Sequence, residues 1–411
     1  MPAGGELSRN GRSNERNPAA SGRSLPRMRV LVYTDYTYTR TGGAVYADRA
    51  FALFLAGLAE HVDTLVIAGR LRPDGERARY PLPEGFGFIP LPYYETLARP
   101  LDVAAATVRS ARRFWRALDR VDACWLLGPH PLAIAFAALA IVRRRRVVLG
   151  VRQDMVEYVR SRHPGRRFLA LAARALEGTF RLLAHRYPVV VVGPALRQRY
   201  RTSRTVLEIA VSLIEGGDVV DPREAMSRPY HDPLTLLAVG RIEEEKNPLM
   251  LADVLASLSE LDPGTWKLTV CGEGNLLGAL EGRLAELGQA DRADLRGYVA
   301  HEQMLSVYRS SHVLVHVSWT EGLPQVMIEA LAAGLPVVAT DVGGIGEALG
   351  DAVLLTPPGD VDAAVAAVRR VCEDDRLRER LVRAGFDYAR RHTLEAETAR
   401  VAVLLNGEGA T

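Results

Sequence analysis

Two glutamates eight positions apart, Glu321 and Glu329, stand in the most chemically suggestive stretch of the chain, Ser318-Trp319-Thr320-Glu321-Gly322-Leu323-Pro324 and the small-residue run to Gly334. Both can face the crevice at the carboxyl ends of a parallel sheet, so two carboxylates are aimed at one ligand. Each also has a plainer reading: Glu321 as a complement to a helix dipole, Glu329 as a solvated mid-helix residue. A second constellation lies in Gly240-Arg241-Ile242-Glu243-Glu244-Glu245-Lys246-Asn247-Pro248. Arg241 and Lys246 flank a helix start, where a guanidinium fork, a mobile ammonium and free N–H groups can converge on a diphosphate. Solvated loop cations are the alternative. Of the 52 basic residues only Lys246 and Lys267 are lysine, which sets Lys246 apart. Glu243, Glu244 and Glu245 would repel phosphate, so they are expected to point to solvent.

Three further motifs carry weaker signals. Gly272-Glu273-Gly274 suits a turn where backbone passes close to a ligand, and equally a plain tight turn. The paired glycines Gly42 and Gly43 let backbone N–H groups at a helix N-terminus approach an anion, a structural turn being the other reading. Asp360-Val361-Asp362 has the Asp-x-Asp pattern of metal-holding sites. It follows Pro357-Pro358-Gly359 and opens a helical run, so Asp360 reads as an N-cap and Asp362 as a first-turn acid.

The elements that must hold these residues alternate strand and helix. Before Glu321 the β-branched run 313–317 suits a strand buried on both faces, and Pro324, Gly334 and Pro336 bound a helix over 324–333. Strands at 234–240, 268–271 and 294–298, with helices at 247–258 and 302–310, and helices over 360–371 and 376–391, make a doubly wound second domain. The first half opens with a strand at 29–33, a helix at 44–60 and a strand at 62–67, continuing through strands at 123–127, 147–151 and 189–192. The expected division is a disordered tail at 1–27, a Rossmann-like domain at 28–220, a linker at 221–233, a second Rossmann-like domain at 234–391 and a C-terminal tail at 392–411.

A chain of 411 residues that is 48% hydrophobic has material for two cores. A net charge of +3 does not advertise nucleic-acid binding. Cys124, Cys271 and Cys372 fit neither a metal nor a disulfide framework, so a reducing cytoplasm is expected. No apolar run is long enough to span a bilayer. The segment 167–186 places Leu169, Leu176, Phe180 and Leu183 on one face and Arg167, Arg174 and Arg181 on the other, as in an ordinary surface helix or one lying on the inner face of an anionic membrane. Arg143 to Arg146 adds weight to the membrane alternative. A dinucleotide oxidoreductase is disfavoured, because no strand is followed by G-x-G-x-x-G with an acid some twenty residues on.

Taken together, Glu321-x7-Glu329, its small-residue helix and the following Pro-Val-Val-Ala-Thr-Asp-Val-Gly-Gly resemble the signature of the retaining glycosyltransferases of family four. The resemblance runs over residues 234–345 and is architectural before them. It implies two facing doubly wound domains, the glycosyltransferase-B architecture, with a nucleotide diphosphate sugar as donor, no cofactor and no metal. It places Arg241 and Lys246 on the leaving diphosphate, Glu321 on the donor sugar, Glu329 on the ribose, and Leu323 and Pro324 beside the phosphate with Gly322 shaping the turn. Gly42, Gly43, Gly272 and Gly274 would border the donor, and Tyr298 and Val299 would hold the base through main-chain groups. Relatives often carry a histidine after the strand that here ends at Val151, where this chain has Arg152-Gln153-Asp154. Arg152, Asp154 and the nearby His130 are therefore the sugar- or acceptor-side candidates, with a structural role open for His130. The expected reaction is retaining sugar transfer to an acceptor; a nucleotide-sugar epimerase and an inactive sugar-nucleotide-binding protein are the alternatives.

Overall fold

The computed structural model describes residues 28–73, 79–83, 85–93, 100–162 and 165–407; the expected tail at 1–27 lies outside them. Two sheets account for the described strands. The first contains β1 (Arg29–Thr41), β2 (Ala44–Ala47), β3 (Thr64–Leu71), β4 (Tyr80–Pro81), β5 (Gly87–Pro92), β6 (Ala123–Gly128), β7 (Arg146–Val151), β8 (Val189–Val192) and β9 (Val206–Ile209). Its parallel body runs β5-β3-β1-β6-β7-β8-β9, while β2 and β4 add antiparallel to the extension of β1. The second contains β10 (Leu234–Val239), β11 (Trp266–Cys271), β12 (Ala293–Gly297), β13 (Val313–His316), β14 (Val337–Thr340) and β15 (Val353–Thr356), all parallel, in the order β12-β11-β10-β13-β14-β15.

In each sheet the strand order reverses once, between β1 and β6 and between β10 and β13, which opens a crevice at the carboxyl ends of those strands. The strands that flank the reversals are buried on both faces: Val30, Val32, Leu126, Leu236 and Leu314 are 0–1% exposed. That explains their continuous apolar runs in place of alternation. The helix Gln325–Ala332, with Pro324 at its N-cap, matches the expected 324–333 within a residue at each end.

Three expectations need correction. Residues 44–60 are not one helix: Gly42 and Gly43, at φ of 60° and 87°, make the two-residue turn between β1 and β2, and the helix is confined to Phe51–Ala59. Val45 and Tyr46 pair as a strand with Arg40 and Thr39, the β-branched and aromatic residues fitting a pleat. The linker at 221–233 is partly ordered against the second domain. Its helix Pro222–Met226 is capped by Asp221, and Ala225 packs with Val382 and Phe386. The C-terminal tail is, over Leu394–Asn406, a helix docked on the first domain, burying Val401, Ala402, Leu404 and Leu405. Leu394 packs on Gly57, its N–H bonds the Ile214 carbonyl at 2.7 Å, and Arg400 reaches the Glu208 carbonyl at 2.7 Å. Of the apolar stripe on helix Arg167–Ala184, Phe180 is fully buried and Leu183 packs with the same core, while Leu169 and Leu176 are half-buried. Among the described residues no helix is long and apolar enough to cross a membrane.

Asp360 caps the helix Val361–Glu373, its side chain accepting from the Ala363 N–H at 2.9 Å. Asp360→Ala should therefore cost about 0.5–2 kcal/mol of stability with ligand affinity at the interdomain cleft unchanged, as read by thermal melting and calorimetry. A loss of affinity with stability unchanged would contradict the cap assignment.

Candidate functional site

The ends of β10 and β13, the two strands at the reversal of the second sheet, deliver the expected constellation to one place. From β10 the chain passes Gly240 and Arg241 into a short 3-10 turn, Glu244–Lys246. From β13 it passes His316 and Ser318 to Glu321. Lys246 Nζ and Glu321 Oε1 form an ion pair, with side chains 20% and 9% exposed. Two groups from the strand end join it: His316 Nε2 lies 2.7 Å from Glu321 Oε1, and Ser318 Oγ donates to the same oxygen at 2.7 Å. Burial pushes the Glu321 carboxyl up, but the Lys246 charge and the His316 hydrogen bond outweigh it and hold the group well below the usual carboxylate range.

On the same domain, Glu329 comes from the first turns of the helix Gln325–Ala332. It is buried, and its Oε2 accepts from the Tyr308 hydroxyl at 2.7 Å. Burial raises its pKa, the Tyr308 hydrogen bond opposing only in part. An acid so placed loses stability on ionising, so its presence on a cavity wall points to use rather than to packing.

Both acids, Lys246, Arg241 and the β-strand ends line a cavity of about 380 Å³ between the domains. Tyr298 and Val299, after β12, and Pro324 also line it, as expected. Gly272 and Gly274 serve it by close approach: a Cβ on Gly272 would run into the Gly240 carbonyl oxygen, and one on Gly274 into that of Ile242. Only glycine lets the loops after β10 and β11 nest together. Gly322 and Leu323 lie at the seam with the first domain, where Leu323 packs by Gly193 and Gly322 by the Arg152 carbonyl.

Of the glutamates beside Lys246, Glu244 is exposed as expected and the other two are not. Glu243 and Glu245 turn onto Arg241, Glu245 Oε1 lying 2.8 Å from its Nη2, because an acid in the same loop is the nearest partner for a half-buried guanidinium. Asn247 does not cap the following helix; it takes a left-handed backbone at φ 52°, and Pro248 holds the N-cap position.

The first-domain candidates divide. Gly42 and Gly43 are exposed at their hairpin tip, and the wall facing the second domain is built by Asp48, Arg49 and Ala50 at the start of the helix Phe51–Ala59. Arg152 lies at an adjoining cavity, its guanidinium over the Tyr36 ring at 4.4 Å and 3.3 Å from Asp35 Oδ1. Burial lowers its pKa. Asp154 is bonded to the N–H groups of Val156 and Glu157 and to Arg199 at 2.5 Å. His130 is structural: its Nδ1 accepts from the Leu132 N–H at 3.2 Å and from the Tyr33 hydroxyl at 2.8 Å, and burial pushes its pKa down to about 4.

Sequence reasoning missed His316, Ser318, Tyr308 and Arg79. The available signal for His316 was a histidine closing an otherwise apolar strand. Arg79 crosses between domains, pairing with Glu273 and lying 4.2 Å over the Tyr298 ring. Among the described residues no three His, Cys, Asp or Glu side chains cluster as a metal-holding set.

Comparison with known proteins places this geometry. Residues 223–388 match the family described as glycosyl transferases group 1. A glycogen synthase of Mycobacterium tuberculosis (strain H37Rv) is 35% identical over 188 residues, 43% of this chain and 44% of that protein. The match thus spans less than half the length of that relative. Sucrose-phosphate synthase from Thermosynechococcus elongatus superposes with a TM-score of 0.66 over 92% of this chain and 98% of its own, at 18% identity. Anabaena HepE, in complex with UDP, gives 0.66 over 92% and 99%, at 16% identity. The two facing Rossmann-like domains are the glycosyltransferase-B fold.

Proposed function

We propose, from the membership of residues 223–388 in the group 1 glycosyl transferases, that this chain transfers a sugar from a nucleoside diphosphate sugar to an acceptor, with retention at the anomeric carbon. The observation that carries the reading is the meeting of Lys246 and Glu321, delivered by two different strands at the sheet reversal, with buried Glu329 on the same cavity. HepE, whose structure holds UDP, shares the fold and lends support to the donor class.

In this reading the diphosphate enters beside Lys246, whose three N–H donors can serve a phosphate oxygen while one stays on Glu321. Arg241 joins by exchanging one glutamate for the phosphate, and the nearby helix-end N–H groups add partial positive charge. Charge developing on the leaving oxygen is thereby stabilised, and that oxygen takes the acceptor proton on the face it has just left, which preserves configuration. Glu321, fixed by His316 and Ser318, receives the sugar hydroxyls. Glu329, its Oε2 held by Tyr308, receives the ribose hydroxyls.

Glu329→Gln should weaken nucleoside diphosphate binding by about 1–3 kcal/mol, some 5- to 150-fold. The sign of its stability effect is distinctive. A carboxyl raised in the folded state costs stability once pH exceeds its unfolded value, so at neutral pH the glutamine variant should melt at the same temperature or higher. Unchanged affinity in calorimetry would remove Glu329 from the site.

The proposal also holds that the cations make a divalent metal redundant. Incubation with a panel of nucleotide sugars, read by nucleoside diphosphate release, should show turnover with one donor that survives excess chelator, and NMR of the product should show the donor's anomeric configuration kept. Activity abolished by chelator and restored by magnesium or manganese would refute metal independence. An inverted product would refute retention.

A further inference from the structure

Five arginines gather at the end of the first sheet opposite the cleft. Arg144, Arg145 and Arg146 form the turn from the helix Pro131–Val142 into β7, Arg186 stands just before β8, and Arg204 just before β9. These strands are parallel neighbours, so their starting ends lie side by side. The five side chains line one cavity of about 960 Å³, closed on another side by Leu404 and Gly407 of the returning C-terminal helix.

Among the described residues no carboxylate forms an ion pair with Arg144, Arg145, Arg146, Arg186 or Arg204. Two described acids that precede the neighbouring strand β6 are engaged, Asp122 with Arg29 at 2.8 Å and Asp119 with Arg143 at 2.6 Å, although the charge of Asp122 is felt at Arg145. Arg146 donates to the Leu404 carbonyl at 3.0 Å, while its Nε and that of Arg145 are buried without an acceptor. Burial and the charge of Arg204 lower the pKa of Arg146. Like charges held together with no counter-ion among the described residues destabilise the fold, and buried N–H donors without acceptors add to that cost. A ligand that offers several anionic oxygens to planar guanidinium forks relieves both.

We propose that this cavity binds a phosphoryl anion, supplied either by the headgroup of an anionic phospholipid or by a soluble polyphosphate. β7 separates it from the cleft by its own length, about 20 Å at roughly 3.3 Å per residue. The site is therefore independent of the donor reading above. Ile141, Val142 and Leu182, at the ends of the two helices that border the cavity, are exposed, the last two by 69% and 71%. A lipid surface would cover them, which gives the vesicle experiment its reason.

The test compares the full-length chain with Arg186→Gln/Arg204→Gln, which removes two exposed charges that have no described ion partner and should fold normally. Inorganic pyrophosphate is titrated calorimetrically, and vesicles of phosphatidylcholine with or without phosphatidylglycerol are sedimented with the protein. The double variant should bind about 25-fold more weakly, about fivefold for each charge removed. A loss seen with phosphatidylglycerol vesicles assigns the lipid source, and a loss seen with pyrophosphate alone assigns the soluble one. The affected component must persist in Lys246→Ala; if it vanishes there, it belongs to the donor cleft and the proposal falls. Equal binding of both probes by wild type and double variant, or no binding by wild type, overturns it.

Discussion

Replacing Lys246 by alanine should lower kcat/KM for the nucleotide sugar about 30- to 1,000-fold, about 2–4 kcal/mol of transition-state stabilisation. Two losses add. The leaving diphosphate is deprived of its ammonium partner, and Glu321 is left as a buried carboxylate with no counter-ion. The second loss is a folding effect of about 1–3 kcal/mol, since removing one member of a buried pair strands the other. The double variant Lys246→Ala/Glu321→Gln separates them. Its melting temperature should recover most of the way to wild type, while turnover should stay as low as in the single variant or fall further. A loss of activity below threefold in a folded Lys246→Ala protein would remove the clamp from the mechanism. Recovery of activity together with stability in the double variant would show that Lys246 acts only through folding.

Glu321→Gln should lower kcat about 10- to 200-fold, about 1.5–3 kcal/mol for a hydrogen bond to a charged group, with a smaller change in nucleoside diphosphate affinity. Glutamine keeps the shape but removes the negative charge that Lys246, His316 and the Ser318 hydroxyl share on one oxygen. The pH dependence follows from the lowered carboxyl. Such a group contributes stability that is fully present above its unfolded value, about 4.3, and lost as pH falls through the folded value. Wild type should therefore be more stable than the variant at neutral pH, and the difference should shrink below about pH 4.3. A constant difference from neutral to strongly acidic pH would contradict the ion pair. A drop in affinity with kcat unchanged would move Glu321 from the sugar to the nucleotide.

The loop after β10 and the Glu321–Glu329 segment were legible because their structure is written locally. Glycine and proline punctuate strand, turn and helix within thirty residues, and the candidate site side chains sit at the joints. His316 and Tyr308 were not legible because each stands in a run that reads as core, and only the folded chain shows that their polar atoms meet Glu321 and Glu329. Gly42-Gly43 misled for a different reason. Two glycines serve an anion-binding loop and a hairpin turn equally well, and what decides here is the pairing of β2 with Tyr80 and Pro81, more than thirty residues away. The same holds for the last helix, whose burial depends on Gly57 at the other end of the chain. The basic helix Arg167–Ala184 left two readings open because amphipathicity does not say what an apolar stripe packs against; Phe180 covers Gly128 inside the domain.

The central claim is that Lys246, Glu321 and Glu329 form a nucleoside diphosphate site. Calorimetric titration of uridine, guanosine and adenosine diphosphates into wild type and into Lys246→Ala/Glu329→Gln tests it most directly. One diphosphate should bind the wild-type chain at one site per molecule and fail to bind the folded double variant. Absence of binding by all three, or equal binding by the double variant, would contradict the account.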